Sequence, residues 1–190
     1  VLGDEPQAKD WERKASISAE AIHQKFYHPS SSTYADGSMA NLAAALLSEI
    51  VPESELEKVK LSLENEIMVH RKGHIHAGIT GGALLFKWLR TDNRNDLIYS
   101  MTSKQGYPSW GYMKNNGATT IWEMWEKDLP GHSLLHSSYL YPGAWMINGL
   151  VGIKAAEPGF KKILIQPALG NQTNIEWVKG SFDSPVGHIA

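Results

Sequence analysis

Apolar residues return along the first two thirds of the chain at the three- and four-residue spacing of amphipathic helices. Between Ala8 and Tyr27 the stripe is Trp11, Ala15, Ile22 and Phe26, and Pro6 just ahead of it suits a first helical turn. From Ser38 to Ile50 the pattern is strongest. Met39, Leu42, Ala43, Leu46, Leu47 and Ile50 share one face there, with Asp36 or Ser38 placed to cap it. Pro52 opens a third helix, with Leu56, Val59, Leu63 and Ile67 on one stripe and Glu55, Glu57, Lys58 and Lys60 on the solvated side. A fourth is predicted over Ile79 to Leu89, a fifth from a cap at Asp92 or Asn93 to about Lys104, and a later one around Tyr139 to Lys154. Links of a few residues make antiparallel helical hairpins the natural arrangement.

Two regions break this pattern. Gln105 to His136 is a long segment rich in Gly, Pro and aromatics, and long irregular segments of that kind are functional or disordered. Its rings argue against disorder. After Pro158-Gly159 the period changes: Lys161 to Pro167 is a β-branched run ended by Pro, Asn174 to Val178 reads as a strand, and Ser184-Pro185-Val186-Gly187 as a hairpin turn. The residues after 157 are too few to build an independent β domain.

Composition narrows the function. Lys and Arg number 18 and Asp and Glu 20, for a net charge of -2, so no single-sign field attracts phosphate backbones or anionic lipid. Nucleic acid and membrane are therefore not expected partners. The longest mainly apolar stretch, Gly143 to Ile153, is well short of a spanning helix. No basic n-region and apolar h-region mark a signal peptide at the N-terminus. Zero Cys excludes disulfides, thiolate metal sites and a Cys nucleophile. No G-x-G-x-x-G, P-loop, H-E-x-x-H or G-x-S-x-G is found, which removes the best signals for nucleotide cofactors and serine-hydrolase chemistry. His74 and His76 would point the same way in a strand, but no third ligand of suitable spacing accompanies them, and polar loop histidines are the better reading. Neither a metal nor an organic cofactor is expected. Asn171-Gln172-Thr173 matches a glycosylation sequon too short to carry weight.

Rings are unusually abundant, with seven Trp, seven Tyr and eight His, and Trp110, Trp122 and Trp125 lie close together in the irregular segment. The strings YPSWGYM (107–113) and GATTIWEMW (117–125) put Glu123 between Trp122 and Trp125. Flat apolar faces stack on the C–H surfaces of sugar rings, and a carboxylate accepts a proton or a hydroxyl hydrogen bond. The competing reading is that the tryptophans are core and Glu123 is a surface or salt-bridged residue.

These strings resemble the signature of the α-L-rhamnosidases of glycoside hydrolase family 78, YPSWGYM followed by GATT-x-WE-x-W. Gly73 to Gly82 resembles that family's GH-x-x-TG-x-x-GT segment, with Ala77 and Gly82 where Thr is usual. Gly149 to Ile153 with Glu157 to Pro167 resembles the barrel exit and the first strand of the following β domain.

The resemblance implies a mainly α fold, part of an (α/α)6 barrel followed by the first strands of a β-sandwich domain. Residues 1–157 would be the closing half of the barrel and 158–190 the truncated start of the sandwich. It also implies an inverting glycoside hydrolase that removes terminal α-L-rhamnose from glycosides or polysaccharides, with Glu123 as the general base and no cofactor. Inversion needs a second carboxyl group about 6.5 to 9.5 Å away as general acid. In the family that acid belongs to an earlier loop, and no position here matches it. Glu12, Glu20, Glu49 and Glu66 read as solvated faces or pairs. His136, in Ser133-Leu134-Leu135-His136, matches an S-x-NH segment except that Leu135 replaces Asn, and is implied to donate to a sugar hydroxyl. Trp110, Trp122 and Trp125 are shared between pocket wall and core, with Trp110 the lead wall candidate. The expected partners are the carbohydrate and the remainder of the same enzyme, without which the chain should be inactive and marginally soluble. Two other functions remain open: an (α/α)-barrel glycosidase for a different sugar, and a non-catalytic carbohydrate-binding or scaffold protein.

Overall fold

The computed structural model describes residues 3–170 and 173–190. The Asn171-Gln172-Thr173 sequon therefore lies partly outside the described residues. The chain opens with α1 (Glu5–Phe26), whose first turn is closed by the Asp4 carboxylate accepting from the Gln7 N–H at 3.1 Å, with Pro6 in that turn. The predicted stripe is present, yet none of this helix is buried. Trp11 is 62% exposed and Ile22 and Phe26 are each 40% exposed. A two-residue hairpin missed by the periodicity follows, β1 (Tyr27–His28) with β2 (Thr33–Tyr34). It ties the end of α1 down through His23 Nδ1, 2.6 Å from the Tyr34 hydroxyl and with its ring stacked on Tyr27 at 4.7 Å.

Helix α2 (Met39–Leu47) buries the predicted face. Both candidate caps act: Ser38 Oγ accepts from the Asn41 N–H, while Asp36 accepts from the Ser38 N–H at 2.9 Å and from the Asn41 amide at 2.8 Å. Hydrogen bonding to the Ser38 side chain first, then to its N–H and to the Asn41 amide, pulls the Asp36 carboxyl down to about 2. The chain then forms α3 (Glu53–Asn65), whose last turn widens into a π-turn, Glu66–His70, carrying Ile67 into the core. Buried Glu66 is paired, as expected, with Arg71 Nε at 2.7 Å and His70 Nδ1 at 2.9 Å.

Helix α4 (Ile79–Thr91) lies against α2, α5 (Asn95–Thr102) and the later α7 (Tyr141–Trp145). Gly81 sets the α2–α4 approach, since a Cβ there would come 2.6 Å from that of Ala40. The predicted cap of α5 at Asp92 or Asn93 is displaced: Asn93 takes a left-handed turn (φ 59°), and Arg94 precedes the helix while pairing with Glu64 and Asp96. Inside the segment expected to be irregular, Ser109 Oγ accepts from the Tyr112 N–H at 2.9 Å and starts a short helix, α6 (Trp110–Asn115). Helix α7 also ends in a π-turn, Met146–Val151, stopped by Gly152 at φ 80°. A Cβ at Gly152 would collide with the Gln166 backbone, so only glycine fits there.

Past Gly152, β3 (Ile153–Ala155) pairs antiparallel with β4 (Ile163–Ile165), and β5 (Phe182–Ser184) with β6 (Gly187–Ile189) across the predicted turn. The strand predicted over Asn174 to Val178 does not form, although its residues alternate well, because no neighbouring chain pairs with it among the described residues. All of β4 is exposed. The fold is thus mainly helical, part of a helical barrel with the beginning of a sheet domain. One apolar core runs from Tyr34 to Trp145.

Candidate active site

Glu123 sits on a loop between α6 and α7, held by backbone pairing rather than by a helix or strand. The Glu123 N–H donates to the Ser133 carbonyl at 3.0 Å and the His136 N–H to the Ile121 carbonyl at 2.9 Å, so residues 124–132 form a closed excursion. The two neighbouring tryptophans anchor it from below. Trp122 is 2% exposed and lies in the core, leaving no face for a ligand. Trp125 is 8% exposed and stacks on Tyr139 at 4.1 Å. Trp110 stands edge-on to Trp125 at 5.2 Å, half-buried, with its Nε1–H donating to the Tyr139 carbonyl at 2.9 Å.

Above these rings the Glu123 carboxylate keeps 29% of its side-chain surface exposed. Oε2 accepts from the Ser133 N–H at 2.8 Å, and Oε1 lies 3.7 Å from His132 Nδ1. The Ser133 N–H is the main reason the carboxyl is held below the usual glutamate value; His136 and His132 add to it when they are protonated. Among the described residues no arginine is bound to it. His136 Nδ1 accepts from the Ser138 N–H at 3.0 Å, and the Ser138 hydroxyl lies on the same nitrogen. A backbone N–H can only donate, so a neutral His136 carries its proton on Nε2, on an exposed ring. Leu135, where the family has Asn, is 72% exposed, and its N–H and carbonyl are both taken by Ser133 Oγ.

A cavity of about 350 Å³ adjoins the loop, lined by His76, Tyr107, Trp125, Glu126 and Tyr139 among others, but not by Glu123. Its polar wall is Glu126, which accepts from the Tyr107 hydroxyl; that bond pushes the Tyr107 phenol up to about 12. The sequence reading missed Glu126, although it immediately follows the WE-x-W motif. His132 carried no signal in the sequence beyond its place in the loop, and Ser133 stood there only as the first residue of the S-x-NH-like segment, with no role toward Glu123. His74 is drawn off to the Pro108 carbonyl at 3.3 Å, and no group of three potential metal ligands occurs among the described residues. No helix among the described residues is long and apolar enough to cross a membrane.

The match to known proteins extends over the whole chain. Residues 1–150 match the model of the bacterial alpha-L-rhamnosidase 6 hairpin glycosidase domain, and residues 152–190 that of the bacterial alpha-L-rhamnosidase C-terminal domain. The chain belongs to the bacterial alpha-L-rhamnosidase family. An alpha-L-rhamnosidase of Alteromonas sp. (strain LOR) is 32% identical over 99% of this chain, which covers 21% of that protein. Among solved structures, an alpha-L-rhamnosidase from Dictyoglumus thermophilum superimposes with a TM-score of 0.86 at 27% identity, over 98% of this chain and 21% of that one. The Streptomyces avermitilis alpha-L-rhamnosidase complexed with L-rhamnose shares the fold, with a TM-score of 0.76 at 22% identity over 90% of this chain and 17% of that one. The chain thus spans about a fifth of the length of the rhamnosidases it matches.

Proposed function

We propose that this chain is part of an inverting glycoside hydrolase that removes terminal α-L-rhamnose, with Glu123 as general base. The observation that carries the reading is a partly exposed carboxylate whose ionised form is favoured by the Ser133 N–H, near an exposed histidine whose neutral form carries its proton on Nε2. In the reaction Glu123 takes a proton from a water as that water's oxygen bonds to the anomeric carbon. The bond to the leaving oxygen breaks on the opposite face, and a carboxylic acid outside this chain protonates that oxygen. His136 donates to a sugar hydroxyl, while Trp125 offers ring surface to the cavity beside the loop and Trp110, which does not line it, supports Trp125 edge-on. Trp122, deep in the core, acts through packing.

The remainder of the barrel is the proposed partner, and the exposed stripe of α1 supports it. The proposed division is into a helical unit, residues 1–157, and a sheet unit, residues 158–190. Strand β3, ahead of that division, pairs with β4 beyond it.

One observation favours a non-catalytic carbohydrate-binding protein instead: the cavity beside the motif is lined by Trp125 and Glu126 rather than by Glu123. Glu123→Gln in the full-length protein separates the two readings. Loss of a chromogenic rhamnoside's turnover by about 10²- to 10⁴-fold, with rhamnose still bound in calorimetry, is expected of a base. Binding without hydrolysis in the unmodified protein would establish the other reading. A panel of chromogenic glycosides tests the sugar.

A further inference from the structure

The largest of the cavities described, about 610 Å³, lies away from Glu123, where the C-terminal end of α4 meets the sheet residues. Ala77 and Gly78, just before α4, line the cavity beside Trp125, whereas Arg90 and Thr91 line this one. At 1.5 Å per residue, the thirteen residues of α4 put roughly 20 Å between them.

Arg90 and Lys154 both line the large cavity, and neither side chain has an ion pair or hydrogen bond among the described residues. The negative end of the α4 dipole suits Arg90 but does not neutralise it. No acidic side chain lines the cavity among the described residues. Among the described residues the Asn148 amide makes no hydrogen bond, and Asn93 spends only its side-chain oxygen, on Asn95. The lining also includes a stacked ring pair, Phe160 and Phe182, with centroids 5.3 Å apart. Phe160 holds its ring there from a left-handed backbone (φ 58°), a conformation costly for a side chain of that size.

Unpaired cations, hydroxyl-reading amides and flat apolar rings are the complement of a sugar that carries a carboxylate. We propose that this cavity is a second, non-catalytic site that binds a uronic acid residue. Arg90 and Lys154 hold the carboxylate, Asn93 and Asn148 take hydroxyls, and the phenylalanine pair packs on the ring's C–H face. The site would engage a charged portion of a polymeric substrate at a distance from the scissile bond. The choice of a saccharide over other anions rests on the function proposed above.

The test is calorimetry of the full-length protein with digalacturonate, neutral galactobiose and inorganic sulfate. Digalacturonate is expected to bind about tenfold or more tightly than either, and to weaken as salt is added. Arg90→Gln with Lys154→Gln should remove that preference by a similar factor of about ten, without changing Tm or turnover of a small chromogenic rhamnoside. Phe182→Ala should weaken digalacturonate but not sulfate. Equal binding of the two sugars, sulfate as tight as digalacturonate, or an unaffected double variant would each overturn the proposal. Uronate binding that persists in a protein without rhamnoside hydrolysis would leave this site standing and remove the catalytic reading instead.

Discussion

The Ser133 N–H on Glu123 Oε2 has a consequence for pH. Because that bond and the nearby imidazoles favour the ionised form, the carboxylate takes up a proton only as pH falls through a value below the ordinary glutamate range of about 4.3. The acid limb of kcat/KM in the full-length protein is therefore expected below that point. Substituting His132 by Ala should move the limb toward higher pH; an acid limb well above it in the unmodified protein would assign it to another group. A second residue-scale feature explains the Gly82 departure. A Cβ at Gly82 would run into the Tyr141 ring and hydroxyl, so the phenol occupies the volume that the family's usual Thr would fill. That hydroxyl is buried without a hydrogen-bond partner among the described residues, and burial raises its pKa. Tyr141→Phe is thus expected to leave stability unchanged or raise it by up to ~1 kcal/mol, whereas Gly82→Ala should lower it by ~1–3 kcal/mol. Denaturant unfolding reads both, and a clear loss in Tyr141→Phe would show the hydroxyl to be satisfied.

Among the elements, helices were legible where both an apolar stripe and its partner lie inside the chain. The face of α2 was readable because Leu42, Ala43 and Leu46 are buried in a helix that packs on α4, and both candidate caps, Asp36 and Ser38, proved to act together. Helix α6 was hidden because six residues hold less than two turns, too few for a period to appear. Its start depends on the Ser109 cap, buried to 0% exposure. Ser109→Ala should cost ~1–2 kcal/mol by thermal unfolding, more than Ser38→Ala, because Asp36 still restrains the start of α2. Equal losses would mean the Asp36 contacts contribute nothing. The strand expected at Asn174 to Val178 failed for the opposite reason: alternation says which side chains could face a core, but a strand also needs a neighbour's backbone.

For the whole molecule, the exposed stripe on α1 and the exposed strand β4 are apolar surfaces waiting for cover. The 190-residue chain alone is expected to bind a hydrophobic dye, to self-associate in sedimentation, and to show no rhamnoside hydrolysis. Robust cleavage by it would mean that a general acid lies within these residues. The order of residues was enough to determine the helical class, the Asp36–Ser38 cap of α2 and the tryptophan-flanked carboxylate, because spacing and local hydrogen bonding depend only on near neighbours. Which tryptophan is core, what holds Glu123 ionised, and the joining of two cations and two phenylalanines around one cavity were decided by tertiary structure alone. Those partners lie from nine to about ninety residues apart in sequence, and only the folded chain brings them within reach of one another.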